Sequence, residues 1–577
     1  MPRNRPWLLA ITYSEPLFYT VSLDTIRGVA SVFHEDLRRA IEKISGKTGG
    51  LKAHHVRRLQ TIYRRRIPRD EIISRELARR LAYISYDINK QVALLIGRRG
   101  DIEYVIVGDD HRIVIPDLAR FRSGPGRLKG LRCIHTHLHG EPLNQEDVMD
   151  LALLKLDLMA CIAVDERGVP ADIYYAHILP RNDFGRPWTI EHVLDIGRLK
   201  VNFSEFIRGL ESEIAKNGER FGPGQKERAV LVSVTPAPRE EVRQSIEELV
   251  ELAKTSNLVV ADTVVLRKAG IGSRTLVGKG QLSELVVRSL QQGADLLIFD
   301  GELSSAQVRT LTDCTEMKLI DRTQLILDIF ARRAVTREGK IQVELAQLRY
   351  LLPRLVTKNT AMSRLTGGIG GRGPGETKLE ITRRRARERI VLLNDELGKI
   401  KRQRKEQRKN RNNKGIPIIS IVGYTNAGKS TLLNALTRSH VEVNNGLFVT
   451  LDPTSRRLRL GNRDAIITDT VGFIRNLPED LLQAFAATLE ELHEADLLIH
   501  VADISNSRLE QQINSVQEAL EGLDLTGTPT ILALNKVDRI DSDHAARLAR
   551  SLDGIPISAL NRSTLTVLRE TIKGVMF

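Results

Sequence analysis

Aromatic residues are scarce, at 4% of the 577 positions, and there are only three cysteines. Cys133, Cys161 and Cys314 are odd in number and far apart, which excludes a disulfide framework and a four-thiolate zinc site. A reducing, cytoplasmic compartment is expected. No apolar run approaches the ~18 residues of a membrane span. The short apolar stretch Trp7 to Ile11 cannot serve as the core of a secretory signal. A soluble, unprocessed chain without membrane insertion follows as an expectation.

What is present is ordinary for globular protein: 41% hydrophobic and 28% charged residues, which excludes wholesale disorder and fibrous repeats. At roughly 150 residues per domain, the length predicts about four domains. Lys and Arg number 87 against 72 Asp and Glu, a formal charge of +15, which points to polyanionic partners or a solvated basic face.

Punctuation along the chain divides it. The stretch Asp183 to Gly224 is rich in charge, Gly and Pro, and an apolar run, Ala229 to Val234, follows it, so a boundary is predicted near 225. From there strands at Asn257 to Leu266 and Asp295 to Phe299 alternate with helical patterns such as Arg239 to Ala253, as in a small α/β domain over 226–335. Over 336–414 two helices are expected, Ile341 to Leu352 and Thr377 to Lys409, separated by a loop with six glycines between Gly367 and Gly375. Glu376 to Lys414 holds 15 Lys and Arg against 6 Asp and Glu, so this arm carries more than half of the excess positive charge. Over 415–577, apolar runs at Ile416 to Val422, Ala465 to Ile467, Leu497 to Val501 and Thr530 to Leu534 alternate with helical patterns, the signature of a doubly wound sheet. With 17 residues after Leu560, no further C-terminal domain is expected.

The strongest chemical signal is Gly423-Tyr424-Thr425-Asn426-Ala427-Gly428-Lys429-Ser430, a P-loop between an apolar strand and a helical run. Its glycines let backbone N–H groups curl around phosphates, Lys429 supplies a point charge, and the Ser430 hydroxyl suits Mg²⁺. Asp469-Thr470-Val471-Gly472 follows a strand, where a carboxylate reaches Mg²⁺ through water and a glycine N–H senses a γ-phosphate. Asn535-Lys536-Val537-Asp538 ends another strand. The Asp538 carboxylate matches the N1 and exocyclic amino donors of guanine, which adenine lacks, so GTP and GDP are the expected ligands. Ser558-Ala559-Leu560 is placed to present N–H groups to the guanine carbonyl. Thr450, within Phe448-Val449-Thr450-Leu451-Asp452, is the switch threonine expected to join Ser430 on Mg²⁺, with Thr454 its rival. Phe473 stands where many small GTPases carry a water-orienting glutamine, so no catalytic residue is assigned, and slow intrinsic hydrolysis is expected, completed by another group or a cation. Asn426 matches the asparagine by which potassium-dependent GTPases ligate K⁺.

Residues 228–577 resemble the HflX-type GTPases of the Obg–HflX group. The resemblance is carried by Arg274-Thr-Leu-Val-Gly-Lys-Gly280, Phe299-Asp-Gly-Glu-Leu-Ser304, Glu338-Gly-Lys-Ile-Gln-Val-Glu-Leu-Ala-Gln347, Tyr350-Leu-Leu-Pro-Arg354 and the loop Gly367 to Glu376. Thr382 departs from it, standing where the family usually has Asp. The resemblance implies a P-loop G domain with a doubly wound sheet, preceded by a small α/β subdomain with a helical arm; with an additional N-terminal α+β domain over 1–225 a multidomain α/β protein is expected. It also implies binding to the large (50S) ribosomal subunit and its rRNA, with GTP-dependent separation of stalled or idle ribosomes in stress. A monomeric chain is expected. Arg372 in the glycine loop and Arg383 to Arg385 suit RNA phosphates; scarce aromatics favour backbone and shape recognition over base reading.

The first 225 residues lie outside that likeness. His135-Thr-His137 followed by Asp147 resembles the metal signature of JAB/MPN-type domains, with an apolar strand, Val92 to Ile96, before it and a helix after it. Two imidazoles and a carboxylate suit Zn²⁺ with an open position for water. The spacing to Asp147 is shorter than usual, and Lys90 and Gln91 stand where a glutamate is expected, so a degenerate, inactive module is the leading expectation. Two other function classes follow: a two-headed metallohydrolase regulated by its G domain, and an RNA-remodelling ATPase, against which Asp538 argues.

Overall fold

Alternation of apolar strands with amphipathic helices builds three separate sheets along the chain. The structure is a computed structural model, and it describes residues 44–118, 120–121, 127–217, 226–268, 276–294, 296–315, 317–355, 378–412, 416–437, 454–461, 463–470, 472–473 and 492–577.

The first sheet has seven strands in the order β1-β3-β2-β4-β5-β6-β7: β1 (Ser45–Gly46), β2 (Val92–Gly97), β3 (Ile102–Val107), β4 (Leu131–His137), β5 (Leu158–Val164), β6 (Pro170–Ile178) and β7 (Trp188–Val193). Its mixed directions include the parallel pairs β1–β3 and β4–β5. Helices α1 (Ala53–Gln60), α2 (Arg75–Ile88), α3 (Gln145–Leu153) and α4 (Phe203–Asn217) accompany it. Every residue of β4 and β5 is buried, so these two strands form the centre of the domain.

The second sheet is all parallel, order β11-β10-β8-β9, from β8 (Arg228–Thr235), β9 (Val259–Arg267), β10 (Leu296–Phe299) and β11 (Lys318–Asp321). Between them run α5 (Arg239–Thr255), α6 (Lys279–Gln291) and α7 (Ser305–Cys314), and α8 (Arg322–Arg333) follows. The strand expected from Asn257 begins at Val259. Asn257 takes a left-handed φ of 60°, and Leu258 N–H donates to the Ala253 carbonyl, so these two residues close α5 before the strand can start.

The arm consists of α9 (Arg337–Leu351) and α10 (Lys378–Asn412). Helix α9 starts four residues before the apolar run because the Thr336 hydroxyl caps the Gly339 N–H. Over Glu380 to Ile400 helix α10 buries a single residue, Leu393, which packs with Ile341 and Leu345 of α9. Ion pairs flank that contact, Arg389 with Glu344 at 2.7 Å and Arg337 with Glu396 at 3.2 Å. The glycine loop Gly367 to Gly375, with Arg372 and Glu376, lies outside the described residues.

The third sheet has six strands, order β13-β14-β12-β15-β16-β17: β12 (Ile418–Gly423), β13 (Thr454–Leu460), β14 (Arg463–Asp469), β15 (Leu497–Asp503), β16 (Thr530–Asn535) and β17 (Ile555–Pro556). All pairs are parallel except β13 with β14. Its helices are α11 (Lys429–Thr437), α12 (Leu509–Gly522), α13 (Ser542–Ser551) and α14 (Leu565–Met576). One apolar cluster runs from this sheet into the second: Val422, Phe473, Leu498 and Val516 belong to the same core as Leu231, Leu249, Ile298 and Phe330.

Because Leu393 is 1% exposed and is the buried centre of a stripe that Ile390, Leu397 and Ile400 flank, Leu393→Ala should cost about 2–5 kcal/mol of local stability. Amide exchange over residues 383–400 should then accelerate while exchange in β12 and β15 stays as it is. Unchanged exchange in α10 would mean that the ion pairs and the flanking Ile390, Leu397 and Ile400 hold the arm without Leu393.

Candidate nucleotide site

Strand β12 sits in the middle of its sheet and its apolar residues are buried on both faces, so its C-terminal end is fixed. Gly423 ends it, and a Cβ there would lie 2.2 Å from the Val501 carbonyl oxygen of the neighbouring strand. Gly428 has φ 95°, and its Cβ would lie 2.3 Å from the Asn535 side-chain nitrogen. Close approach on one side and left-handed backbone on the other therefore require glycine at both positions.

Between them the loop closes on itself. Lys429 Nζ donates to the carbonyls of Gly423 at 3.0 Å and Tyr424 at 2.8 Å. Burial lowers the Lys429 pKa to about 8, opposed in part by the Asp469 charge. Nearby His500, on β15, is pushed down to about 4, first by burial and then by the Lys429 charge, so it is neutral. The Ser430 hydroxyl donates to Asp469 Oδ2 at 2.6 Å, which brings two oxygen donors together beneath the loop. Thr470 donates its hydroxyl to the Ile421 carbonyl at 2.6 Å and so fastens β14 to β12. Beyond Gly472, Phe473 pairs with the loop through its backbone, its N–H to Gly423 O at 3.1 Å and its carbonyl from Thr425 N–H at 2.8 Å. The Phe473 ring is 3% exposed within the apolar core shared with the second sheet.

The base-side motifs converge on the same edge. Asn535 Nδ2 donates to the Ala427 carbonyl at 2.8 Å, and Asn535 Oδ1 accepts from Ala559 N–H at 2.9 Å, so one amide joins three of the predicted strings. Lys536, at φ 69°, donates from Nζ to the Asn426 carbonyl at 2.8 Å and to Asp503 Oδ2 at 2.7 Å. Ser558 donates its hydroxyl to Asp538, orienting that carboxylate, while Leu560 is exposed. Val537 packs with Leu534 and Ala545. Phe448, Val449, Thr450, Leu451, Asp452 and Val471 lie outside the described residues, as does the side chain of Thr454.

Two features escaped the sequence reading. Asp503, at the end of β15, holds Lys536; a strand ending in an acid one motif upstream was its only signal. The second is a contact between domains. Tyr424 donates its hydroxyl to Glu248 Oε1 of α5 at 2.6 Å, and Glu248 Oε2 accepts from Arg322 at 2.6 Å, with Asp300 also on Arg322 at 3.1 Å. Burial disfavours the Arg322 charge, but the two carboxylates more than offset it and raise its pKa. No local pattern links position 248 to position 424.

In the first domain, β4 brings His135 and His137 onto one face, and the N-terminus of α3 brings Asp147 to them. His135 Nε2 lies 2.8 Å from His137 Nε2 and 3.3 Å from Asp147 Oδ1. The register Ala93↔His135, carried two residues on, puts Gln91 across from His137. Its amide nitrogen is buried without a hydrogen-bond partner among the described residues.

Tyr424→Phe removes one hydrogen bond to a charged acceptor and leaves the ring in place, which should cost about 1.5–3 kcal/mol. Denaturant unfolding of the full chain followed at the second and third domains would register it; an unchanged midpoint for both would mean that the Tyr424 hydroxyl is not what couples them.

Three family profiles match in succession: GTP-binding GTPase N-terminal over residues 243–331, GTP-binding GTPase middle region over 333–411, and 50S ribosome-binding GTPase over 418–536. GTPase HflX of Caldanaerobacter subterraneus is 47% identical over 353 residues, 61% of this chain and 81% of that protein. GTPase HflX of Escherichia coli is 42% identical over 339 residues, 59% of this chain and 79% of that one. A crystal structure of a GTP-binding protein from Sulfolobus solfataricus in complex with GDP is 27% identical, covering 61% of this chain and 98% of that one, with a TM-score of 0.34. With these matches running through the second domain, the arm and the P-loop domain, the chain belongs to the HflX family of GTPases and hydrolyses GTP.

Proposed function

We propose that this GTPase is a cytoplasmic switch that binds the large ribosomal subunit and separates stalled or idle ribosomes in stress. The observation that carries the reading is the match of residues 418–536 to the 50S ribosome-binding GTPases, joined in one chain to a long basic arm. Backbone and shape contacts from Arg383, Arg384 and Arg385 suit folded rRNA.

In the nucleotide site, the N–H groups from Thr425 to Ser430 and the Lys429 ammonium take the phosphates. Asp538 reads the guanine, oriented by Ser558. Asn535 keeps the base-side loops in register with the P-loop. The oxygen donors Ser430 and Asp469 fit Mg²⁺, which prefers hard ligands and keeps several waters, with Thr450 as a further ligand. Bound there, Mg²⁺ would neutralise charge on the phosphates. Among the described residues no side chain replaces the missing glutamine at Phe473, whose ring is committed to the interdomain core. Hydrolysis in the isolated protein is therefore slow, and the ribosome supplies or orders the missing group.

Turnover of GTP measured alone and with purified 50S subunits, with Lys429→Ala as the inactive control, tests this reading. A slow basal rate that rises at least ~10-fold with 50S is expected; a rate indifferent to 50S would sink it. The same assay in KCl and NaCl addresses Asn426: faster turnover in KCl is expected, and equal rates remove potassium as a cofactor.

A buried lysine whose pKa lies near 8 makes binding depend on pH. Nucleotide phosphates favour charged Lys429 and raise its pKa again. Above about pH 8 the free protein has lost that proton, and binding must take one up. GDP affinity should fall by up to ~10-fold per pH unit between about pH 8 and 9.5. Calorimetry in two buffers of different ionisation enthalpy should record proton uptake; flat affinity with a buffer-independent heat would contradict it.

A further inference from the structure

The first domain carries a basic surface of its own. Between Lys52 and Arg80 stand ten Lys and Arg against three Asp and Glu, a local net of +7 and nearly half of the chain's excess of +15. The stretch forms α1, a short 3₁₀ turn (Thr61–Arg64) and the start of α2. Its apolar residues Leu59, Ile62, Ile67, Leu77 and Leu81 enter the core of the domain, which leaves the charges outside: Lys52, Arg57, Arg64, Arg66, Arg69 and Arg79 are exposed. Acids answer only some of them. Asp87 takes Arg58 at 3.0 Å, Asp101 takes Arg66 at 3.4 Å and Glu76 takes Arg65, whereas Arg57 and Arg79 share no ion pair among the described residues.

Two tyrosines stand among these arginines. Along α2, Arg75, Arg79, Tyr83 and Tyr86 recur at the spacing of one helix face, and all four are exposed. Tyr83 is 51% and Tyr86 49% exposed in a chain where aromatics are scarce. Both rings are held from one side. The Arg58 guanidinium of α1 lies 4.9 Å from the Tyr83 ring centre, and the turn after β5 backs Tyr86 so closely that a Cβ at Gly168 would fall 2.9 Å from its Cγ. Arg80 donates to Thr61 Oγ1 at 2.7 Å, which joins α1 and α2 into one continuous surface.

The residue types select the partner. Nine of the ten bases are arginine, whose planar guanidinium pairs with phosphates and stacks on flat rings. Fixed, half-open tyrosines offer π-faces to unpaired bases, which a duplex keeps stacked within itself. An anionic lipid surface would need an apolar helix face to insert, and the apolar face of α2 is buried in its own core.

We propose that α1 and α2 of the first domain bind single-stranded RNA, with Arg57 and Arg79 on its phosphates and Tyr83 and Tyr86 stacked against its bases. The surface lies outside the three matched family profiles, which begin at residue 243, and apart from the basic arm. It therefore stands or falls independently of 50S binding by the GTPase.

The test uses the full-length protein and an oligo(U) RNA of about 16 nucleotides carrying 4-thiouridine, with inorganic polyphosphate as a polyanion that has no bases. Two local readouts keep binding at the arm from masking the result: photo-crosslinks mapped by mass spectrometry, and the slowing of amide exchange over 53–60 and 75–88. RNA should crosslink to Tyr83 or Tyr86. The yield there should fall at least ~5-fold in Arg57→Gln/Arg79→Gln, while crosslinks in the arm stay as they are. Tyr83→Ala/Tyr86→Ala should lose the slowing caused by RNA and keep that caused by polyphosphate; Tyr83→Phe/Tyr86→Phe, with both rings in place, should retain both. Crosslinks confined to the arm, or slowing by RNA that survives the loss of both rings, would overturn the proposal. A loss in Tyr83→Ala/Tyr86→Ala that extends to polyphosphate would overturn stacking as the role of the rings. Slowing by phosphatidylserine vesicles but not by RNA would assign the surface to a membrane instead.

Discussion

One carboxylate, Glu248, holds the P-loop and the second domain in register. It accepts from Tyr424 on one oxygen and from Arg322 on the other, with Asp300 completing the guanidinium's partners. The three charged side chains are all about nine-tenths buried. Such a group contributes little net stability when complete, because desolvation offsets the attraction, but losing one partner costs about 3–5 kcal/mol. Its consequence is geometric. The peptide that carries Tyr424 also offers its carbonyl to Lys429, so the position of the phosphate-binding lysine depends on a residue in another domain. Arg322 in turn opens α8, which leads directly into α9 and the arm. Nucleotide loop and basic arm are thus separated by one ion pair, one helix and one turn.

The Phe473 ring explains why that geometry matters for hydrolysis. A glutamine at this position would have to point at the nucleotide; a phenylalanine gains more by entering the core formed with Leu249, Ile298 and Val422. Its backbone meanwhile bridges Gly423 and Thr425. Phe473 is therefore held between the P-loop and the second domain, and a rearrangement that moves it must disturb the domain interface as well.

The parts of this molecule that were legible in the sequence are those where chemistry follows from neighbours in the chain. The P-loop string, Asp469 and the Asn535 to Asp538 motif each end an apolar strand, and the parallel sheet gathers strand ends to one edge. His135 and His137 follow the same logic, two residues apart on one face of a strand. What was not legible depends on approach between distant segments. Glu248 sits 176 positions from Tyr424, and an amphipathic helix pattern gives no sign that one of its acids will be buried against a tyrosine. Helix ends misread for a smaller reason: hydrophobic periodicity locates the buried face, whereas Thr336 and Asn257 set the termini through a cap and a left-handed turn.

The arm shows how charge and packing divide the work. Helix α10 has 35 residues, about 50 Å, yet over Glu380 to Ile400 its contact with α9 is one narrow stripe, the buried Leu393 flanked by the half-buried Ile390, Leu397 and Ile400. Its sequence carries far more base than acid, so its free surface repels itself, and the ion pairs to Glu344 and Glu396 relieve only part of that. A polyanion laid along the helix would relieve the rest by releasing counterions. On the ribosomal reading, the same surface that weakens the free arm strengthens the bound one. Among the described residues helix α10 is held by α9 and by Arg383, which donates to the Leu355 carbonyl at 2.6 Å, and α9 follows the helix that Arg322 opens, so the arm and the partner of Glu248 share one stretch of chain.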